Sequence, residues 1–374
     1  NNGFDDILVA DASLGVAYLL LMEDAFAVAD SRRYDFGIGI FSPDSLAALG
    51  DLNHDGKPDF SASMSTAGTV FQMFSLEPTT YAIDSPLTFS TGHAMFAGIA
   101  NLNSGRSTAA LGEDRDGDGI EDVIVCGLYD GSNGFVSIYH PNAALDYDAA
   151  VPLEKILDSH PDIVASGRFG SSTSAVGDID GDGVADIAVG IWFFNSGATD
   201  SGALYIITLN PYGAATLDKS VTVFHQGVQG LDARVVEASA VFGWDVAFLE
   251  KVNGITHIVV GEHRMSDGNA DVGAYHHLFI DESLQVGDQP IVQPSDLGLG
   301  TLAATSLFGL GITAADFDND GVKDVLVGGN TQPYIYIVPG IASVCGDNVV
   351  EGTEQCDDNG TVDGDGCSTT CAVE

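Results

Sequence analysis

One string recurs four times in a single frame and restricts the fold more than any other feature of the chain. It is Asp-x-Asp/Asn-x-Asp-Gly-x-x-Asp followed by an apolar or β-branched run. The copies read Asp51-Leu52-Asn53-His54-Asp55-Gly56-Lys57-Pro58-Asp59, Asp114-Arg115-Asp116-Gly117-Asp118-Gly119-Ile120-Glu121-Asp122, Asp178-Ile179-Asp180-Gly181-Asp182-Gly183-Val184-Ala185-Asp186 and Asp316-Phe317-Asp318-Asn319-Asp320-Gly321-Val322-Lys323-Asp324. Residues 123–127, 187–190 and 325–328 then form short apolar strands ending in Gly, while the first copy runs into Phe60-Ser61-Ala62. Internal repetition on this scale makes the chain an array of one supersecondary unit.

Two further elements keep step with the loop. Phe169-Gly170, Phe242-Gly243 and Phe308-Gly309 precede it, with Phe96-Ala97 and Phe36-Gly37 as looser versions. After it comes a Gly-led alternating run, beginning at Gly15, Gly68, Gly134, Gly202 and Gly273, with Tyr334-Ile335-Tyr336-Ile337 in the last unit. Residues 248–261 keep the frame, but Asn253-Gly254, a dipeptide suited to a two-residue hairpin, replaces the acidic loop. The chain start, Asn2-Gly3-Phe4-Asp5-Asp6-Ile7-Leu8-Val9, matches the second half of a loop and its strand. Six units are visible, the first without its inner strand. Helical periodicity is nearly absent, with a turn or two of helix expected over 151–158.

Four short strands per unit, repeated radially, is the propeller solution to the problem of exposed sheet edges, and each blade needs its neighbours to bury its faces. The expectation is an all-β protein: a β-propeller of six to seven four-stranded blades over residues 1–340, then a small disulfide-rich module over 341–374. The Phe-Gly element, acidic loop and following strand resemble the FG-GAP repeat of integrin α-subunit propellers and of many bacterial surface proteins. No copy carries that family's Gly-Ala-Pro; Val189-Gly190 and Val327-Gly328 keep its Gly. The integrin version has seven blades, so a segment upstream of Asn1 could supply a seventh here.

The loop chemistry follows from counting oxygens. Positions 1, 3 and 5 turn carboxylate or amide oxygens inward, the Gly at 6 permits a sharp bend, and a backbone carbonyl at 7 and a carboxylate at 9 fill a shell that suits Ca²⁺ better than Mg²⁺. The expected ligands are Asp51, Asn53, Asp55, Lys57 (carbonyl) and Asp59; Asp114, Asp116, Asp118, Ile120 (carbonyl) and Asp122; Asp178, Asp180, Asp182, Val184 (carbonyl) and Asp186; and Asp316, Asp318, Asp320, Val322 (carbonyl) and Asp324. About four structural Ca²⁺ are expected on this oxygen count. An EF-hand would need Glu at position 12, where Ala62, Val125, Val189 and Val327 stand. The bland alternative is a set of solvated acidic turns, in which the carboxylates would repel one another.

Cys345, Cys356, Cys367 and Cys371 crowd the last residues, and their setting (Cys345-Gly346-Asp347, Glu354-Gln355-Cys356-Asp357-Asp358, Cys367-Ser368-Thr369-Thr370-Cys371) resembles the Cys-rich repeat of myxobacterial surface proteins. Asn359-Gly360 stands where that family usually reads Gly-Asn. So small a unit needs staples. Two disulfides of open connectivity are expected, with a zinc site as the alternative, and disulfides imply an oxidising compartment. Cys126 reads as a small buried hydrophobe.

The chain carries 54 Asp+Glu against 12 Lys+Arg, a net charge of −42. That charge opposes binding to nucleic acid and to anionic lipid, and no stretch is apolar for the ~20 residues of a membrane span. No familiar catalytic motif is present. His276 and His277 are adjacent on a strand and so point to opposite faces; His263 sits in the metal-free unit beside Glu262, and Trp192-Phe193-Phe194 suits either core packing or a sugar or protein partner. The expectation is a protein that is not an enzyme: a secreted or cell-surface Ca²⁺-binding scaffold for adhesion or recognition of a protein or carbohydrate ligand. The alternative is the non-catalytic targeting part of a larger secreted hydrolase whose catalytic domain lies upstream.

Overall fold

The computed structural model describes residues 5–340, apart from short stretches within that range, of which 232–238 is the longest. The Phe36-Gly37 dipeptide and the cysteine-rich module expected over 341–374 lie outside the described residues, as do Ala97 and Phe193.

The described chain is all β, in six antiparallel sheets that follow one another along the sequence. The first holds β1 (Ile7–Asp11), β2 (Val16–Asp24) and β3 (Ala27–Asp35), and the second β4 (Phe41–Gly50), β5 (Asp59–Met64), β6 (Thr69–Ser75) and β7 (Leu87–Ser90). The third holds β8 (Leu102–Ala110), β9 (Val123–Tyr129), β10 (Asn133–Tyr139) and β11 (Glu154–Leu157), and the fourth β12 (Ser172–Gly177), β13 (Asp186–Ile191), β14 (Ala203–Leu209) and β15 (Asp218–Phe224). The fifth holds β16 (Phe242–Val252), β17 (Ile255–Glu262), β18 (Ala274–Asp281) and β19 (Ile291–Val292), and the sixth β20 (Gly311–Ala315), β21 (Asp324–Gly328) and β22 (Ile335–Val338). Strands pair in sequence order within every sheet. Each sheet is a blade, and the first strands of the second to sixth blades adjoin one another around the axis.

Apolar clusters fill every junction between successive blades. Ile187 and Val189 face the third blade beside Ile124 and Val136, while Ala188, Leu204 and Ile206 face the fifth beside Val246 and Ile258. Successive residues on a strand point to opposite sides, so an interior strand sandwiched between two blades has neither side open to water. β13 and β14 are buried throughout and apolar except at Asp186 and Thr208. The ring closes where Ile7 and Met22 of the first blade pack on Phe317 and Leu326 of the sixth. The blades number six, and the seventh that the integrin resemblance allowed is not needed for closure.

The Gly-led and Phe-Gly elements are two halves of one joint. Gly202 forms a parallel bridge to Phe242 of the next blade, and Gly273 does the same with Phe308. A Cβ at Gly202 would lie 1.9 Å from the Phe242 carbonyl oxygen, and one at Gly273 would lie 2.0 Å from that of Phe308. The backbones therefore touch, and only a residue without a side chain fits between them. The ring of each Phe turns back onto its own third strand, as Phe169 does on Tyr205 and Phe308 on Tyr336. Phe96 takes the same place against Phe135.

Two local expectations meet different fates. Asn253 and Gly254 both have positive φ, 50° and 79°, and join Val252 to Ile255 as a two-residue turn. The helical turn expected over 151–158 is instead the outer strand β11. Ile156 there pairs with Val136 and drops into the core between the third and fourth blades, while Leu157 packs on the opposite side toward the second blade, as neighbours on a strand do.

Candidate metal centres

In each of the four acidic loops the position-1 carboxylate folds the loop around itself. Asp178 accepts the N–H of Asp182 on Oδ1 at 2.9 Å and that of Gly183 on Oδ2 at 2.8 Å. Asp51 receives Asp55 and Gly56, Asp114 receives Asp118 and Gly119, and Asp316 receives Asp320 and Gly321. The position-5 carboxylate then accepts the N–H of position 7, at Lys57, Ile120, Val184 and Val322. Such side-chain-to-backbone bonds are what short acidic side chains do in turns. The side chains of Ile120 and Val184 pack inward, so position 7 has only its backbone to offer a ligand.

Position 9 pins the loop to the blade. Asp59, Asp122, Asp186 and Asp324 are buried, at 0–2% exposure. Each accepts the N–H of position 2 on Oδ2: Leu52, Arg115, Ile179 and Phe317. The other oxygen takes a donor from beyond the loop: Ser75 Oγ, His140 Nδ1, the N–H of Leu209 or that of Gly340. In the first blade Asp6 Oδ1 accepts the N–H of Met22 at 2.9 Å, the counterpart of the Asp186–Leu209 bond. Asp6 thus stands in the first blade where position 9 stands in the others.

Oxygens bound to one Ca²⁺ at about 2.4 Å can be at most about 4.8 Å apart. Carboxylate oxygens of Asp114, Asp116 and Asp118 lie within 4.8 Å of one another, as do those of Asp178, Asp180 and Asp186, and those of Asp316, Asp318 and Asp320. In the first loop the same turn brings Asp51, Asn53 and Asp55 together, with Asn53 Oδ1 accepting the N–H of Asp55 at 3.3 Å. The third loop departs from the expected set. Lys219 bridges Asp180 and Asp182 at 2.8 and 2.7 Å, so Asp182 turns to the ammonium and Asp186 joins the carboxylate group in its place.

The donor set fits a hard cation. Burial pushes the Asp186 carboxyl up to about 7 against its two N–H donors, and Asp180 and Asp182 add to the rise. Asp180 Oδ1 is buried and has no hydrogen-bond donor among the described residues, while Lys219 takes Oδ2. A buried oxygen without a donor calls for a partner, and a cation is one that suits a carboxylate.

Neighbouring blades supply supports that the repeat did not announce. Lys251 donates to the Asp178 carbonyl at 2.8 Å and pairs with Glu282 at 3.1 Å. Glu113 accepts the N–H of Ala185. In the second loop Arg115 reaches Glu154 and the Asn210 carbonyl. His140 lies between Asp122 at 2.9 Å and Glu154 at 3.3 Å. Burial alone would lower His140, but those two carboxylates hold it up at about 9. Lys251, His140 and Glu154 lie outside the loop motif and follow no repeat, so only the folded chain brings them to the loops.

The remaining sequence candidates divide. Cys126 is buried and free, its thiol pushed up to about 12 by burial. His276 and His277 do point apart: His276 is sealed against Glu262, and His277 lies by His257 and Phe279. His263 lies in the turn that follows β17 and is buried there. Phe194 packs in the core between the third and fourth blades, while Trp192 lies under Arg106 and Arg168.

Residues 169–207 match the FG-GAP repeat. The matched segment starts at the Phe169-Gly170 joint and carries one acidic loop and both of its flanking strands. No curated protein matches the chain. Among solved structures, the chain is similar to a thermostable family-43 glycoside hydrolase, at 11% identity over 77% of this chain and 84% of that one, with a TM-score of 0.45. It is also similar to a GH43 glycoside hydrolase engineered to display both endo-xylanase and exo-arabinofuranosidase activity. There the identity is 14% over 81% of this chain and 51% of that one, with a TM-score of 0.41.

The expectation that the chain is not an enzyme is corrected: the two solved structures just named are glycoside hydrolases. At these identities the likeness is one of fold, and it assigns no substrate or catalytic residue here.

Proposed function

We propose that the chain is a Ca²⁺-stiffened β-propeller of the extracellular space or a bacterial cell surface, whose blade ends recognise a protein or carbohydrate ligand. The observation that carries it is the donorless, buried Asp180 Oδ1 within a loop whose hydrogen-bond pattern recurs in three other blades. Each ion would be held by the carboxylates or amide at positions 1, 3 and 5, the carbonyl at 7, and the carboxylate at 9 where it reaches in. It would supply charge compensation and crosslink the loop to the blade core. Ions of this kind suit millimolar extracellular calcium, and the resemblance to integrin-type and bacterial surface propellers supports recognition as the use of the scaffold.

The test is thermal melting in Ca²⁺, in Mg²⁺ and in chelator. A site held at ten times its Kd adds about 1.4 kcal/mol, so several sites should raise the Tm clearly in Ca²⁺ and less in Mg²⁺. Equal melting in all three conditions would refute the reading.

A further inference from the structure

The hydrogen-bond pattern shared by the four acidic loops decides which oxygens stay open to an ion. At position 5, Oδ1 of Asp55, Asp118, Asp182 and Asp320 accepts the N–H of position 7, so Oδ2 is the oxygen that the loop backbone leaves open. In the third loop that oxygen is taken. Lys219 Nζ lies 2.7 Å from Asp182 Oδ2 and 2.8 Å from Asp180 Oδ2. The ammonium thus sits on one oxygen from position 3 and one from position 5, both of them expected ligand positions.

The carboxylates respond to it. In the second and fourth loops, positions 1, 3 and 5 bring their oxygens within 4.8 Å of one another, whereas in the third the group is formed by positions 1, 3 and 9. Basic side chains near the other loops are engaged elsewhere. Lys57 is held by Glu77 and Asp84, Arg115 by Glu154, and Lys323 lies over the Phe248 ring. None of those partners is an expected ligand.

Lys219 reaches the loop from β15, the outer strand of the same blade, where the ladder skips it: Thr208 pairs with Ser220 and Leu209 with Asp218. A bulge re-aims a side chain. The first blade makes the corresponding skip at Ala29, since Leu21 pairs with Asp30 and Met22 with Val28. The bulge therefore belongs to the fold, and the ammonium is what the fourth blade adds to it. The Lys219 side chain is 41% exposed and its stem is flexible, so the ammonium has water to leave into without moving the strand. Nor does it complete the site. Asp180 Oδ1 stays buried without a donor among the described residues, and an ammonium has three N–H groups where Ca²⁺ takes about six to eight oxygens.

We propose that Lys219 is a tethered cation that competes with Ca²⁺ for the third loop, so that this loop is the weakest calcium site of the four and calcium entry releases the lysine to solvent. The inference rests on the calcium reading and adds a regulating residue that the repeat does not contain. Two ion pairs between partly exposed groups, each modest in strength, amount to about a tenfold loss of affinity. The fourth blade is then the one whose occupancy follows a change in calcium while the other loops stay filled.

The experiment titrates the chelator-treated full chain and its Lys219→Gln variant with Ca²⁺ by calorimetry. In parallel, the lysines of the parent are acetylated at points along the titration and the modified sites are read by mass spectrometry. The parent should show one site about tenfold weaker than the rest, and Lys219→Gln should bring it level. Acetylation of Lys219 should rise as that last site fills. Melting separates competition from a merely structural role: Lys219→Gln should lower the Tm in chelator, where the carboxylates lose their counter-charge, but not in saturating Ca²⁺. An unchanged weak site in the variant, Lys219 acetylation indifferent to calcium, or a Tm lowered equally in both conditions would overturn the proposal and leave the calcium sites standing. Absence of calcium binding in every loop would instead remove the calcium reading, and this inference with it.

Discussion

A Cβ placed on Gly202 would stand 1.9 Å from the carbonyl oxygen of Phe242 in the neighbouring blade. Gly202 has φ of +85° and hydrogen-bonds to the Phe194 carbonyl, while Phe242 donates its N–H to Ser201. Gly213 has a similar φ of +82° but open space around it. Gly202→Ala should therefore pay for both the left-handed backbone, about 1–2 kcal/mol, and the displaced joint, bringing the loss to about 3 kcal/mol or more. Gly213→Ala should show the backbone part alone. Urea unfolding of the two variants separates the terms.

The buried carboxylates at position 9 and the half-buried Asp318 at position 3 should behave differently. Asp186→Ala leaves the N–H groups of Ile179 and Leu209 without acceptors, at about 1–3 kcal/mol each, so it should lower the Tm even in chelator, and further in calcium because a ligand of the third loop is lost as well. Asp318 accepts one long bond, 3.2 Å from the Asp320 N–H. Asp318→Ala should lower the Tm in calcium and change little in chelator. Melting each variant under both conditions checks the pattern.

Repetition made most of this architecture legible. The recurrence of the acidic loop gave the unit, the period-two apolar runs gave its strands, and Asn253-Gly254 marked the turn that replaces the acidic loop in the fifth blade. The joint between Gly202 and Phe242 was visible as two separate glycine signals, but nothing in one chain's spacing says that they meet across a blade boundary. The third loop shows the same limit. Its ligand pattern is perfect in sequence, yet Lys219 on β15 draws Asp182 away and leaves Asp180 Oδ1 without a donor.

Glu154 neutralises Arg115, whose side chain is wholly buried. Glu154→Ala should cost about 3–5 kcal/mol, the usual penalty for stranding a buried charge. Arg115→Met with Glu154→Leu should recover much of the loss, since an apolar pair of similar size needs no compensation. Denaturant titration of the single and double variants is the measurement.

Acid should weaken the fifth blade through His257. Burial holds this imidazole down at about 4, against 6.5 for a free side chain. Its folded value is the lower one, so the unfolded chain takes up the proton first as the pH falls. Stability contributed by neutral His257 is complete above about pH 6.5 and drains away between there and about pH 4, by up to ~3 kcal/mol. His257→Phe should lose less stability than the parent between pH 7 and pH 4.5 in urea titrations. Identical losses would show that His257 is not held neutral.

The central claim is that the four acidic loops are calcium sites, and a calorimetric titration of the chelator-treated chain with Ca²⁺ tests it most directly. About four ions per chain should bind, as the oxygen shells allow, and a chain carrying Asp51→Ala, Asp114→Ala, Asp178→Ala and Asp316→Ala should bind none. Absence of binding heat, together with melting that ignores calcium, would make the loops solvated acidic turns and contradict the account.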